Sequence, residues 1–146
     1  MRTKNFFVKK VITESIEVAY GLRENLKVGN IDVKRDFGYS PEYIKAMYLS
    51  LLNSIPNNYI VCSGMSVSLR DIITYVFKKL NIAHEKLVVD NSLFRPAEIM
   101  DLYGDNKLTK SELGWEYDLN FFQVLDILIA EELNNFKPNE NSNSSR

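Results

Sequence analysis

The chain has 146 residues, 45% of them hydrophobic and 25% charged, which suits one globular domain with a single core. The 18 Lys and Arg against 19 Asp and Glu leave a net charge of -1, so no global field draws the chain to nucleic acid or to an anionic membrane. A single cysteine, Cys62, and a single histidine, His84, exclude an internal disulfide and a metal site rich in either residue.

Phe7, Val8, Val11, Ile12, Ile16 and Ala19 recur at helical spacing, and Gly21 stands where that helix should stop. Leu26–Val28 is predicted as a short strand. Ser40, Pro41 and Glu42 read as a cap with proline at the first helical position, opening a helix to about Leu52. Pro56, Asn57 and Asn58 break it, and the apolar run Tyr59–Cys62 is predicted as a second strand, with Cys62 a small buried hydrophobe rather than a nucleophile. Ser63 and Gly64 then turn the chain. Ser68 caps a helix whose Leu69, Ile72, Ile73, Val76 and Leu80 form one apolar face. His84 falls in a polar surface link, and Lys86–Val89 is the third predicted strand. A short helix near Leu108–Leu113, a turn at Gly114 and a helix from about Leu119 to Leu133 complete the pattern. About three short strands interleaved with four to five helices indicate an α/β unit over residues 1–134. Residues 135–146 have almost nothing to bury and are expected to be disordered. No apolar run approaches the roughly 18–20 residues of a membrane span, and no signal peptide is visible, so a cytoplasmic protein without a membrane partner is expected.

Two segments far apart in sequence carry the chemistry. Both are read as loops punctuated by glycine or proline: the first runs from Gly29 to Tyr39 with Arg35 beside Asp36, and the second is Phe94, Arg95, Pro96, Ala97 and Glu98. Guanidinium forks match phosphate oxygens, and a carboxylate three residues on can accept from ribose hydroxyls, so the pair suits a diphosphate with an adjacent ribose. Salt-bridged structural loops present the same residue types. The order of several further motifs adds weight. Met1–Val11 (Met-Arg-Thr-Lys-Asn-Phe-Phe-Val-Lys-Lys-Val), the ungapped stretch Val28–Tyr48, Arg95–Ile99, Leu102–Asp105 and Leu113–Trp115 follow one another across about residues 2 to 133.

This series resembles the carboxyl-terminal, substrate-binding lobe of extended short-chain dehydrogenase/reductases, and within them the GDP-mannose 4,6-dehydratase family. The resemblance implies an NADP-dependent lyase acting on a GDP-sugar, converting GDP-mannose to GDP-4-keto-6-deoxymannose. It assigns Arg35 and Arg95 to the diphosphate and Glu98 to the ribose. Phe7, through its backbone, and Lys10 are assigned to the guanine, Asn5 to the sugar diphosphate and Arg2 to NADP. A simple helix cap accounts for Asn5 equally well. Phe7 stands for a usual valine, Phe37 for a tryptophan and Ala97 for a threonine. Lys34 and Gly38 favour the dehydratase over the related reductase.

The glycine-rich turn of a dinucleotide site does not occur among the 6 glycines. A Tyr-x-x-x-Lys occurs at Tyr75 and Lys79, on the polar flank of a helix with no nucleotide-binding strand near it, and reads as coincidental. The resemblance therefore implies that the Rossmann lobe, with the catalytic groups, is absent from these residues. The isolated chain is expected to bind GDP weakly at best, to lack turnover, to leave Phe6, Phe7 and Phe37 partly exposed, and to self-associate, whereas the full enzyme is expected to be a homo-oligomer. The same lobe in a GDP-sugar reductase or epimerase, in a GDP-heptose dehydratase, or in a non-catalytic sugar-nucleotide-binding module are the alternatives.

Overall fold

A computed structural model describes residues 6–136. Five α-helices, α1 (Phe7–Ala19), α2 (Ser40–Leu52), α3 (Leu69–Lys79), α4 (Lys107–Leu113) and α5 (Phe121–Asn135), are interspersed with five short strands. The strands are β1 (Leu26–Val28), β2 (Lys34–Asp36), β3 (Ser66–Ser68), β4 (Leu87–Val89) and β5 (Asp101–Leu102). They form two small sheets: β1 pairs in parallel with β4, and β2 lies between antiparallel β3 and parallel β5.

The core forms where α1, α3 and α5 meet β1. Val11, Ile12 and Ile16 from α1, Ile72, Ile73 and Val76 from α3, and Val124, Leu125 and Ile129 from α5 close over Leu26 and Val28. Each large aliphatic side chain so buried contributes about 1.5–3 kcal/mol, and the helical periodicity of the sequence puts them on facing stripes. Local chemistry sets the helix ends. The Ser68 hydroxyl accepts from the Asp71 N–H at 3.0 Å, and Asn120 accepts from the Phe122 N–H at 2.9 Å while its own N–H donates to Gln123 Oε1 at 3.1 Å. Gly114 ends α4 in the left-handed conformation, with φ 63°.

Several expectations are corrected. Tyr59–Cys62 is not a strand. Among the described residues no neighbouring segment offers it a ladder, and the carbonyls of Ile60 and Cys62 are taken instead by the Thr109 hydroxyl (2.7 Å) and the Asn106 amide (3.0 Å) at α4. Tyr39, not Ser40, occupies the cap position of α2, and its side chain makes no capping bond; Ser40 and Pro41 lie within the helix. Phe6 rather than Asn5 holds the cap position of α1. Phe6 is exposed, and Phe7 and Phe37 are partly exposed as expected while they pack against the core. Ile44, Met47, Tyr48, Leu51 and Leu52 of α2 are also exposed.

Phe136 caps α5 and its ring lies 4.8 Å from that of Tyr20. Residues 137–146, with most of the expected tail, and Arg2 and Asn5 lie outside the described residues. Among the described residues no helix is long and apolar enough to cross a membrane.

Candidate functional site

The parallel pairing of β1 and β4 brings the two arginine segments to one end of a sheet. Leu26, Lys27 and Val28 are in register with Leu87, Val88 and Val89, and the Asp90 N–H donates to the Val28 carbonyl at 2.8 Å. Both chains leave at this carboxyl end, the usual place for an α/β sheet to gather a ligand. They stay in contact beyond it: a Cβ added at Gly29 would lie 2.9 Å from the Leu93 carbonyl oxygen, so only glycine permits this approach.

Arg35 does not lie in a loop, as its glycine-flanked sequence suggests, but in the middle of β2. It is in register with Val67 on one side and Leu102 on the other, a pairing invisible in the sequence of three polar residues. Its Nη1 donates to the carbonyls of Lys34 at 2.6 Å and Ile99 at 2.7 Å, while Nη2 lies 3.8 Å from Glu98 Oε1. The structure thus brings Arg35 and Glu98 together. With Nη1 occupied, Nε and Nη2 form the side-on fork that can grip two oxygens of a phosphate or carboxylate, and neither has a hydrogen-bond partner among the described residues. Arg95 is exposed just after the helical turn Asn91–Leu93, and no hydrogen bond or ion pair engages it among the described residues.

Asp36, to which the sequence reading gave no role, organises the strand that carries Arg35. It accepts from the Ser63 N–H (3.0 Å) and hydroxyl (2.7 Å), the Gly64 N–H (2.9 Å) and the Gly104 N–H (3.3 Å). One carboxylate therefore joins β2 to the turn before β3 and to the turn after β5. Its position next to Arg35 is the only signal the sequence offers. Burial, with the Asp36 charge second, pushes the Tyr43 phenol and the Cys62 thiol above their ordinary values. A thiol so placed is inert, consistent with Cys62 as a core residue.

Phe7 and Lys10 sit one turn apart on α1. The Phe7 ring packs against the core, which leaves its main chain, in the first turn where N–H groups have no intrahelical acceptor, as the available contact. Lys10 Nζ donates to the Lys27 carbonyl of β1 at 2.9 Å, beside a small cleft lined by Thr13, Glu14, Glu17 and Arg23. No hydrogen bond or ion pair joins this pair to Arg35 or Glu98 among the described residues. A second cleft of about 200 Å³ opens between Phe37, Val67 and Phe121, where the Phe37 and Phe121 rings stack at 4.9 Å.

Tyr75 and Lys79 both end on Asp126 of α5: the Tyr75 hydroxyl donates at 2.9 Å and Lys79 Nζ approaches to 2.9 Å. The motif is a tie between two helices. No glycine among the described residues makes a dinucleotide turn. Gly38, which lies two residues before α2, is covered by the Tyr43 side chain, whose hydroxyl oxygen a Cβ there would meet at 1.9 Å. The described residues accordingly do not fit the pyrophosphate of NADP.

The family described as GDP-mannose 4,6 dehydratase matches residues 1–128. Relatives include GDP-mannose 4,6 dehydratase 2 of Arabidopsis thaliana, 29% identical over 90% of this chain and 36% of its own length. The GDP-mannose 4,6-dehydratase of Vibrio cholerae is 28% identical over 90% of this chain and 43% of that protein. The fold is similar to that of RMD from Pseudomonas aeruginosa complexed with NADPH, with a TM-score of 0.83 and 23% identity, covering 92% of this chain and 45% of that one. It is also similar to dTDP-glucose 4,6-dehydratase from Bacillus anthracis in complex with NAD, with a TM-score of 0.78 and 12% identity, over 92% and 41%. The chain thus spans less than half the length of these relatives, with the small α/β architecture of the extended epimerases and dehydratases. With the match running through most of its residues, the chain belongs to the GDP-mannose 4,6-dehydratase family.

Proposed function

We propose that residues 1–134 are the substrate-binding lobe of an enzyme that converts GDP-mannose to GDP-4-keto-6-deoxymannose. The observation that carries this reading is the open Nε/Nη2 fork of Arg35, held in place by the Ile99 carbonyl with Glu98 beside it. A guanidinium fixed from behind by two carbonyls loses little side-chain freedom on gripping a phosphate. Arg95, exposed on the neighbouring segment, adds a second cation to the diphosphate, and Glu98 takes a ribose hydroxyl. The first turn of α1 receives the guanine through the Phe7 main chain and Lys10, and Asn5 meets the sugar diphosphate.

NADP, when bound in the whole enzyme, exchanges a hydride with the sugar. In this reading the cofactor is held by a separate lobe, with Arg2 its single contact here. The role of these residues is to bind and orient the nucleotide so that the sugar is presented to that lobe. The whole enzyme is a cytoplasmic homo-oligomer.

The test is a titration of GDP into the 146-residue chain, followed by NMR, for the native sequence and for Arg35→Ala and Arg95→Ala. Losing one charge-assisted contact costs about 1.5–3 kcal/mol, so each variant should bind roughly tenfold to hundredfold more weakly. Equal affinity in all three removes the assignment.

A further inference from the structure

Asp36 follows Arg35 in β2, and because successive side chains of a strand take opposite faces it lies behind the arginine fork rather than beside it. Both of its oxygens are fully engaged. Oδ1 accepts from the Ser63 N–H at 3.0 Å and hydroxyl at 2.7 Å, and Oδ2 accepts from the Gly64 N–H at 2.9 Å and the Gly104 N–H at 3.3 Å. Four donors meet two acceptors, and an amide of the same shape could offer them only one oxygen.

These bonds reach the segment that sets the Arg35 side chain. Strand β2 has three residues and β5 two, too few for their ladder to hold a register alone. The Ile99 carbonyl, which takes Arg35 Nη1 at 2.7 Å, comes just before β5, and Gly104, which Asp36 holds, comes just after it. Between them the Lys34 N–H donates to the Met100 carbonyl at 2.7 Å. Strand β5 is thus clamped to β2 at both ends, by Arg35 on one face and by Asp36 on the other. The far clamp needs a glycine. A Cβ on Gly104 would lie 2.6 Å from Sγ and 2.8 Å from Cβ of the buried Cys62, so any side chain there displaces the turn and its bond to Asp36.

We infer that Asp36 is a positioning residue for nucleotide binding: it touches no ligand, but by tying β5 and the Ser63–Gly64 turn to β2 it keeps the Ile99 carbonyl against Arg35 and the Nε/Nη2 fork open to a phosphate. The inference rests on the reading of Arg35 as a diphosphate ligand and names the residue that readies it. Without the clamp Arg35 is a loose side chain that must be ordered at the moment of binding, which lowers affinity roughly two- to tenfold. Linkage makes the effect reciprocal, so bound GDP steadies the bonds of Asp36 by the same factor.

The experiment follows the Arg35 guanidinium and GDP binding by NMR in the full 146-residue chain, in Asp36→Asn and in Gly104→Ala, which break the same clamp from opposite sides. In the native chain the two Nη groups should give separate signals, because two carbonyls hold Nη1. In both variants these signals should merge as the side chain comes free, and GDP should bind roughly two- to tenfold more weakly. Asp36→Asn should cost nothing further in an Arg35→Ala background, since it acts through Arg35. Nη signals that stay separate in both variants overturn the proposal, as does a loss that adds in full to that of Arg35→Ala, the mark of a merely structural role. Should a variant lose its native circular dichroism, the native chain decides: amide exchange at Gly64 and Gly104 should slow roughly two- to tenfold with saturating GDP, and unchanged exchange overturns the proposal. The two readings fail separately. A native chain that binds no GDP removes the substrate reading while the Nη signals still judge Asp36, whereas GDP binding that needs Arg35 but ignores Asp36→Asn and Gly104→Ala removes only the role of Asp36.

Discussion

Gly38 lies against the ring of Tyr43 so closely that a Cβ on it would sit 1.9 Å from the Tyr43 hydroxyl oxygen and 2.1 Å from the carbon that bears it. The ring cannot simply swing aside. It is packed against Trp115 and Tyr117, with centroids at 6.1 and 5.7 Å, and Trp115 is itself pinned by a 3.1 Å bond from its indole N–H to the Glu42 carbonyl. Gly38→Ala should therefore destabilise the chain by about 1–3 kcal/mol, the usual cost of overpacking. Urea unfolding checks the value, and combining Gly38→Ala with Tyr43→Ala should give less than the sum of the two single losses.

Glu98 faces Arg35 across 3.8 Å, and in the proposed complex it accepts from a ribose hydroxyl. GDP should then bind more tightly than its 2′,3′-dideoxy counterpart by about 1–3 kcal/mol, the cost of leaving a partly buried acceptor unpaired. In Glu98→Ala that preference should disappear. A preference that survives the substitution would take the ribose role away from Glu98.

Lys10 is held on the Lys27 carbonyl at 2.9 Å, one turn from Phe7. Donors on this edge of α1 suit the carbonyl of guanine, whereas adenine presents an amino group there, so GDP should outcompete ADP by about 1–3 kcal/mol. Lys10→Ala should narrow the gap. Competition of GDP against ADP and UDP checks it, and UDP binding as tight as GDP would point to a uridine-sugar enzyme.

Asp126 accepts from Lys79 and from Tyr75, and these bonds, the lysine's first, hold its carboxyl below the ordinary value of 3.8. A depressed carboxylate stabilises the fold above its unfolded value, and that contribution fades as pH falls from about 4 through the folded value. Because the group is exposed, solvent screening keeps the effect small. Thermal unfolding followed from pH 6 to pH 2 should show a shallower acid decline in Asp126→Asn than in the native chain. Identical slopes would mean that the tie between α3 and α5 carries no weight in solution.

Helices α1, α3 and α5 were legible in the chain because a helix is written locally: apolar residues at spacings of three and four make a stripe, and Ser68 before α3 or Gly21 after α1 marks an end. Strands β1, with Leu26 and Val28 flanking Lys27, and β4, an apolar run, were legible as short segments between breaks. Strand β2 was not, because Lys34–Asp36 is polar and becomes a strand only by pairing with Ser66–Ser68 and Asp101–Leu102. The reverse error at Tyr59–Cys62 has the same origin. Its sequence has the composition of a strand, but a ladder is a property of two segments, and the residues described here provide no second one. The site divides in the same way. The sequence named Arg35, Arg95 and Glu98 by residue type and order. That Arg35 is pinned by a carbonyl 64 positions away, and its strand by the four bonds of Asp36, was decided by tertiary structure, since hydrogen-bond geometry across such separations exists only once the chain has closed on itself.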